Sequence, residues 1–162
     1  MRSYQVFASM TPERAVEMMR VLKQGAPGMF RQAVDAAAVS IKARPVWMRR
    51  QPFEKRSEAI RRALARVTAN PVADELLAIY FLECRKELLV EWLDGVGLKH
   101  DEGTLEEEAP EQPKAAALSG AIKEFLAAGD DPDRDLLLRA FAAQAAIEWP
   151  DLDAHFESAA AS

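Results

Sequence analysis

Residues 12–42, PERAVEMMRVLKQGAPGMFRQAVDAAAVSIK, decide the fold class. Proline stands at the head of each half, at Pro12 and Pro27, where its missing N–H costs nothing because the first amides of a helix are unpaired anyway. Thr11 precedes Pro12, and its hydroxyl can accept one of those amides. Ala15, Met18, Met19 and Leu22 then recur at helical spacing, as do Phe30, Val34, Ala37 and Ile41 after Pro27. Gly25 falls where the first helix must stop, in the position a left-handed C-cap favours. The stretch therefore predicts two helices, about 12–24 and 27–43, the second ending before Pro45.

The same punctuation repeats along the 162 residues. Pro52, Pro71 and Pro132 open further apolar-periodic segments, with Asn70 and Asp131 as N-caps and Gly95 and Gly129 as stops. A third helix (about 52–68) carries Phe53, Ile60, Leu64 and Val67. A fourth (about 71–94) is apolar over a wide arc, with Leu77, Phe81, Cys84 and Leu88 on one side and Leu82, Leu89 and Leu93 on another, the pattern of a central helix. A fifth (about 114–128) has Leu118, Ala121, Ile122, Phe125 and Leu126, and a sixth (about 132–148) has Leu137, Ala140, Phe141 and Ala145. A short last helix near 151–160 leads into a tail expected to fray. The proline-bounded stretch 44–52 reads as extended, because the residue before a proline avoids the helical region. Residues 95–113 read as an acidic linker, in which HDEG (100–103) makes a turn and Leu98 and Leu105 flank a small hairpin.

The expectation is an all-α fold, a compact bundle of about six helices in one domain spanning 1–162. A sequence echo accompanies it. SEAIRRAL (57–64) resembles SGAIKEFL (119–126), and the helices that follow open with PVADELLAIYF (71–81) and PDRDLLLRAFA (132–142). Such an echo is what a duplicated helical hairpin leaves, although helix starts converge on Pro, Asp and Leu in any case.

Charge is divided along the chain. The net charge is −5, yet residues 1–66 hold 14 basic and 5 acidic side chains, and residues 67–162 hold 7 basic and 21 acidic ones. Overall acidity argues against binding nucleic acid with the whole surface. One cysteine, Cys84, rules out an intrachain disulfide and a cysteine-based zinc site. The N-terminal residues lack the apolar core of a signal peptide, and no run approaches the ~18 apolar residues of a membrane span. Cytoplasm is the expected compartment, with no membrane partner.

Catalytic and cofactor signatures are scarce. The two histidines, His100 and His155, are too few for the usual histidine-rich sites, and neither E-x-x-H nor H-E-x-x-H occurs. Cys84 lies on an apolar face, where a buried, inert thiol is the default. DDPDRD (130–135) alternates aspartates as calcium loops do, but Leu136 stands where the loop needs glycine and Ala142 where it needs glutamate. A helix N-terminus explains the same residues. Glu83, Glu87 and Glu91 form an i, i+4 ladder that reads as a solvated stripe. No glycine-rich phosphate loop is present, and no cofactor is expected.

The basic segment RRQPFEKRSEAIRRALAR (49–66) is the principal binding candidate. Lys55, Arg62 and Arg66 fall on one helical stripe about 16 Å long at ~1.5 Å per residue, and Arg49, Arg50 and Trp47 extend it upstream. Glu58, one turn before Arg62, offsets part of the charge. Three occupants fit: a protein partner or a second copy, the chain's own acidic 101–111 linker, and a nucleic-acid backbone; a plainly solvated face with no occupant is a further reading. The leading expectation is a non-enzymatic protein-interaction module that self-associates or docks a partner, with Trp47 as an anchor. The alternative is a nucleic-acid-associated regulator using Arg49, Arg50, Lys55, Arg62 and Arg66. An enzyme working with carboxylates alone is the third and weakest reading.

Overall fold

The computed structural model covers residues 1–162, and the fold is all-α: ten α-helices and one two-stranded ribbon. Contacts gather the chain into two compact units, Arg2–Cys84 and Arg85–Ser162 together with Met1.

The first unit holds α1 (Ser3–Ser9), α2 (Pro12–Gly25), α3 (Pro27–Ser40), α4 (Pro45–Arg49), α5 (Phe53–Leu64) and α6 (Asn70–Ile79). Thr11 caps α2 as its sequence suggests, accepting from the Arg14 amide at 3.2 Å. The core is built from the predicted stripes: Ala15, Met18, Met19 and Leu22 of α2, Phe30, Val34 and Ala37 of α3, and Ile60 and Leu64 of α5 are all buried. Burial of each of the larger of these side chains contributes roughly 1.5–3 kcal/mol. α1 escaped the sequence reading, although Val6, Phe7 and Met10 are buried at helical spacing. Polar bonds tie it to α6: Ser3 donates to Asp74 at 2.7 Å, and the Tyr4 amide to Asn70 Oδ1 at 3.0 Å. Asn70 is thus drawn inside its own helix rather than capping it.

Several sequence expectations need correction. The count of about six helices is too low, first because α1 and α4 were not foreseen. Stretch 44–52 is helical over Pro45–Arg49 rather than extended. Arg44, directly before a proline, does take extended angles (φ −74°, ψ 135°), but Pro45 then starts a helical turn that buries Met48. The wide-arc helix 71–94 is two helices. α6 passes into a π-turn at Tyr80–Cys84, Arg85 leaves the helical region (φ −133°, ψ 42°), and α7 (Lys86–Gly95) begins beyond it. Its breadth reflects two cores in succession: Leu76, Leu77, Tyr80 and Phe81 belong to the first unit, and Leu88, Trp92 and Leu93 to the second.

In the second unit, α7 is followed by β1 (His100–Asp101), β2 (Thr104–Leu105), α8 (Ala115–Ala127), α9 (Asp133–Ala143) and α10 (Pro150–Ala160). The strands pair antiparallel, His100 with Leu105 and Asp101 with Thr104, about a turn in which Glu102 and Gly103 both take positive φ. The foreseen hairpin is present, two residues tighter than a Leu98–Leu105 pairing. The left-handed residue after α7 is Gly97 (φ 75°), not Gly95. α9 stops at Ala143, so Ala145 is exposed rather than in the core. An aromatic cluster centres this unit: Trp92 lies 5.5 Å from Phe125 and 5.8 Å from Phe141, and Phe141 lies 5.2 Å from Trp149. Trp149 donates to the Pro110 carbonyl at 2.9 Å, which pins the end of the acidic stretch. The two copies of the sequence echo fall on α5–α6 in one unit and α8–α9 in the other.

Candidate interaction face

α3 and α5 run parallel. At their starts the rings of Phe30 and Phe53 lie 5.8 Å apart, and past their ends Arg66 Nη1 donates to the Ser40 carbonyl at 3.1 Å. The chain must therefore return along α3 between them, and α4 lies on that return. Arg49 fixes it there with a two-pronged bond to Asp35 of α3, at 3.0 and 2.7 Å. The Asp35 carboxylate raises the pKa of the Arg49 guanidinium by hydrogen bonding and by charge.

The far end of this α3–α4–α5 arrangement carries every large hydrophobic side chain that the protein leaves exposed: Val39 (69%), Ile41 (53%), Val46 (54%), Trp47 (51%) and Val67 (59%). Two of them, Ile41 and Val67, have sequence spacing that places them in the core. The structure corrects both. α3 ends at Ser40 and the chain turns through Lys42 in the left-handed region, so Ile41 leaves the stripe. α5 ends at Leu64, and Val67 sits in a separate 3₁₀ turn. The charged residues that link α3 to α5 are all basic. Between Asp35 and Glu54 there is no acid, and Lys42, Arg44, Arg49 and Arg50 are all exposed.

The predicted basic residues divide into bound and free. Arg49 is held by Asp35, Arg62 by Glu58 at 2.9 Å, and Arg66 by the Ser40 carbonyl. Arg50 and Lys55 are exposed and form no ion pair. Trp47, the predicted anchor, stands half-exposed within the face, whereas Trp92 and Trp149 are each 1% exposed. Sequence reasoning missed Val39, Ile41, Val46, Val67, Lys42 and Arg44. The acid-free run from 36 to 53 was the signal that could have located them. It also missed Arg61, whose paired bonds to Glu58 at 2.8 and 2.7 Å hold that carboxyl below its usual range. Burial opposes the effect and Arg62 adds to it.

The charge division follows the structural boundary. Arg2–Cys84 carries 14 basic and 8 acidic side chains, net +6, and Arg85–Ser162 carries 7 and 18, net −11. Within the acidic unit Asp101, Glu102, Glu106, Glu107, Glu108 and Glu111 are all exposed.

Other chemistry-bearing residues have local structural partners. His100 accepts from the Gly103 amide at Nδ1 (3.1 Å), so its Nε2 carries the proton and donates to Asp94 at 2.7 Å. His155 packs edge-on against Phe156. Asp131 and Asp133 both bind Arg85, and Asp131 also accepts the Asp133 amide at 2.9 Å. The Glu83–Glu87–Glu91 ladder is broken by the turn at Arg85: Glu87 pairs with Arg85 at 2.9 Å and Glu91 with Arg134 at 2.8 Å. Burial and the neighbouring Glu83 charge push the Cys84 thiol up, away from reactivity. No group of three or more His, Cys, Asp or Glu is placed to hold a metal ion, and no helix is long and apolar enough to cross a membrane.

Comparison with known proteins finds no family model, no curated protein and no solved structure that matches the chain.

Proposed function

We propose that this is a non-enzymatic helical interaction module that self-associates, the basic, apolar 39–67 face of one copy docking the acidic Arg85–Ser162 unit of another. The observation that carries the reading is the gathering of all five exposed large hydrophobics at one end of α3–α5, inside a rim of cations. Apolar side chains in the middle of a contact supply most of its free energy, and a tryptophan among them can contribute about 2 kcal/mol or more. Opposite charge on the two surfaces speeds and orients encounter more than it tightens the complex. Each chain carries both surfaces, so association is head-to-tail and can continue beyond a pair unless the rotation closes a ring. The sequence echo agrees with descent of the two units from one hairpin, one copy having become basic and the other acidic.

Light scattering across protein and salt concentrations tests the proposal. The expected result is a mass above that of the monomer that rises with concentration and falls with salt. A monomer under every condition overturns self-association.

Regulation of nucleic acid has less support. Of its five cations Arg49 and Arg62 are held by carboxylates and Arg66 by a carbonyl, which leaves Arg50 and Lys55. That reading expects a low-salt electrophoretic shift that Arg62→Glu/Arg66→Glu abolishes.

A further inference from the structure

At the opposite end of α3 and α5, about 20 Å from Ser40 at ~1.5 Å per residue, lies a second concentration of positive charge. Lys23 Nζ stands 5.7 Å from the centre of the Phe53 ring and 6.0 Å from that of Phe30. Arg56 Cζ stands 5.6 Å from Phe30 and 5.7 Å from Phe53, and Arg20 Cζ 5.9 Å from Phe53. Arg20 and Lys23 project from adjacent turns of α2, and Arg56 comes from α5. Nowhere else in the protein do three cations converge on shared rings.

None of the three has a carboxylate partner. Glu17, one turn before Arg20, is taken by Arg14 at 3.4 Å. Glu54, two residues before Arg56, is exposed and forms no ion pair. A ring face supplies about 0.5–1 kcal/mol to a cation at an exposed site, which is no more than the mutual repulsion of charges drawn to one place. Arg56 shows the imbalance most clearly, because its Nε is buried and donates to nothing. A buried donor of this kind has already lost its water and gains more from an acceptor than an exposed one does.

We propose that Arg20, Lys23 and Arg56 form a binding site for a phosphoryl dianion. Three positive charges exceed what one carboxylate neutralises and suit a group with two negative charges and three acceptor oxygens. Two guanidinium forks and an ammonium provide the paired and single donors that such a group takes up. The phosphoryl group can arrive on a small molecule or on a phosphorylated side chain.

The test is calorimetric titration of the full chain, at constant ionic strength, with inorganic phosphate and with a short phosphoserine peptide beside its unphosphorylated form. Saturable binding of phosphate assigns a small-molecule source, and binding of the phosphopeptide alone assigns a protein source. Both support the site. The double variant Arg20→Gln/Lys23→Gln is at the surface, and thermal unfolding checks that it folds. It is expected to lose about tenfold or more in affinity, each tenfold being 1.4 kcal/mol. The control Lys114→Gln/Lys123→Gln removes the same charge from exposed positions of the second unit and is expected to bind like the parent. Equal losses in both variants reduce the effect to net charge and overturn the proposal, as does failure of both phosphate and phosphopeptide to bind the parent. Trp47→Ser leaves this binding unchanged, so the result stands apart from self-association.

Discussion

Arg66 donates to the main-chain carbonyl of Ser40, 26 residues earlier, and this bond ties the turn after α5 to the end of α3. It holds the segment that carries Val67 at the same end as Val39 and Ile41, so one exposed guanidinium helps to assemble the apolar face from two separate helix ends. Arg66→Ala is expected to cost about 1 kcal/mol or less in stability, as measured by urea denaturation, because the bond is exposed. Its larger effect is expected in the light-scattering mass, which should fall toward the monomer.

The Arg85 cluster predicts an asymmetric pair of substitutions. Asp133 is 2% exposed and faces a guanidinium whose pKa is raised chiefly by its hydrogen bond to Asp131. Arg85→Met leaves Asp133 buried without its cation and is expected to cost about 3 kcal/mol, as breaking one side of a buried pair does. Asp133→Asn leaves Arg85 with Asp131 and Glu87 and is expected to cost less. Thermal and urea unfolding of both variants check the order.

Glu58 predicts a pH effect. Its carboxyl is held low chiefly by the Arg61 hydrogen bond, so its stabilising contribution is complete above the unfolded glutamate value of about 4.3 and is lost as pH falls through the lower folded value. Glu58→Gln removes that dependence. The gap in Tm between parent and variant is expected to be constant near neutral pH and to narrow below about pH 4. A gap that widens in acid contradicts the assignment.

Gly25 and Cys84 form a tight contact between α2 and the π-turn. A Cβ on Gly25 would sit 2.6 Å from the Cys84 Sγ and 3.3 Å from its Cβ. Gly25→Ala is therefore expected to destabilise by about 1–3 kcal/mol. Adding Cys84→Ala removes the sulfur but not the Cβ, and should recover only part of the loss. The raised pKa of the Cys84 thiol predicts slower alkylation at neutral pH in the folded protein than in urea.

The sequence made the helices legible where proline and apolar spacing agree, as at Pro12, Pro27 and Pro132. It could not show the break at Arg85, where no proline or glycine marks the turn and the arginine instead meets Asp131 and Asp133, more than forty residues later. The interaction face was half legible. The cations and Trp47 stood out, but Ile41 and Val67 carry the spacing of core residues, and only where α3 and α5 actually end puts them outside. The cations on Phe30 and Phe53 were invisible for a related reason. Arg20 and Lys23 stand more than thirty residues from Arg56, and only the parallel run of α3 and α5 brings their helices' ends together.

Trp47 offers the most direct measurement of the central claim, because the other two tryptophans are buried and acrylamide reaches it first. The quenchable share of tryptophan emission should fall as protein concentration rises at low salt and recover when salt is added, and Trp47→Phe should abolish the change. A quenchable share that is the same at every concentration and salt would mean that no second copy covers the face.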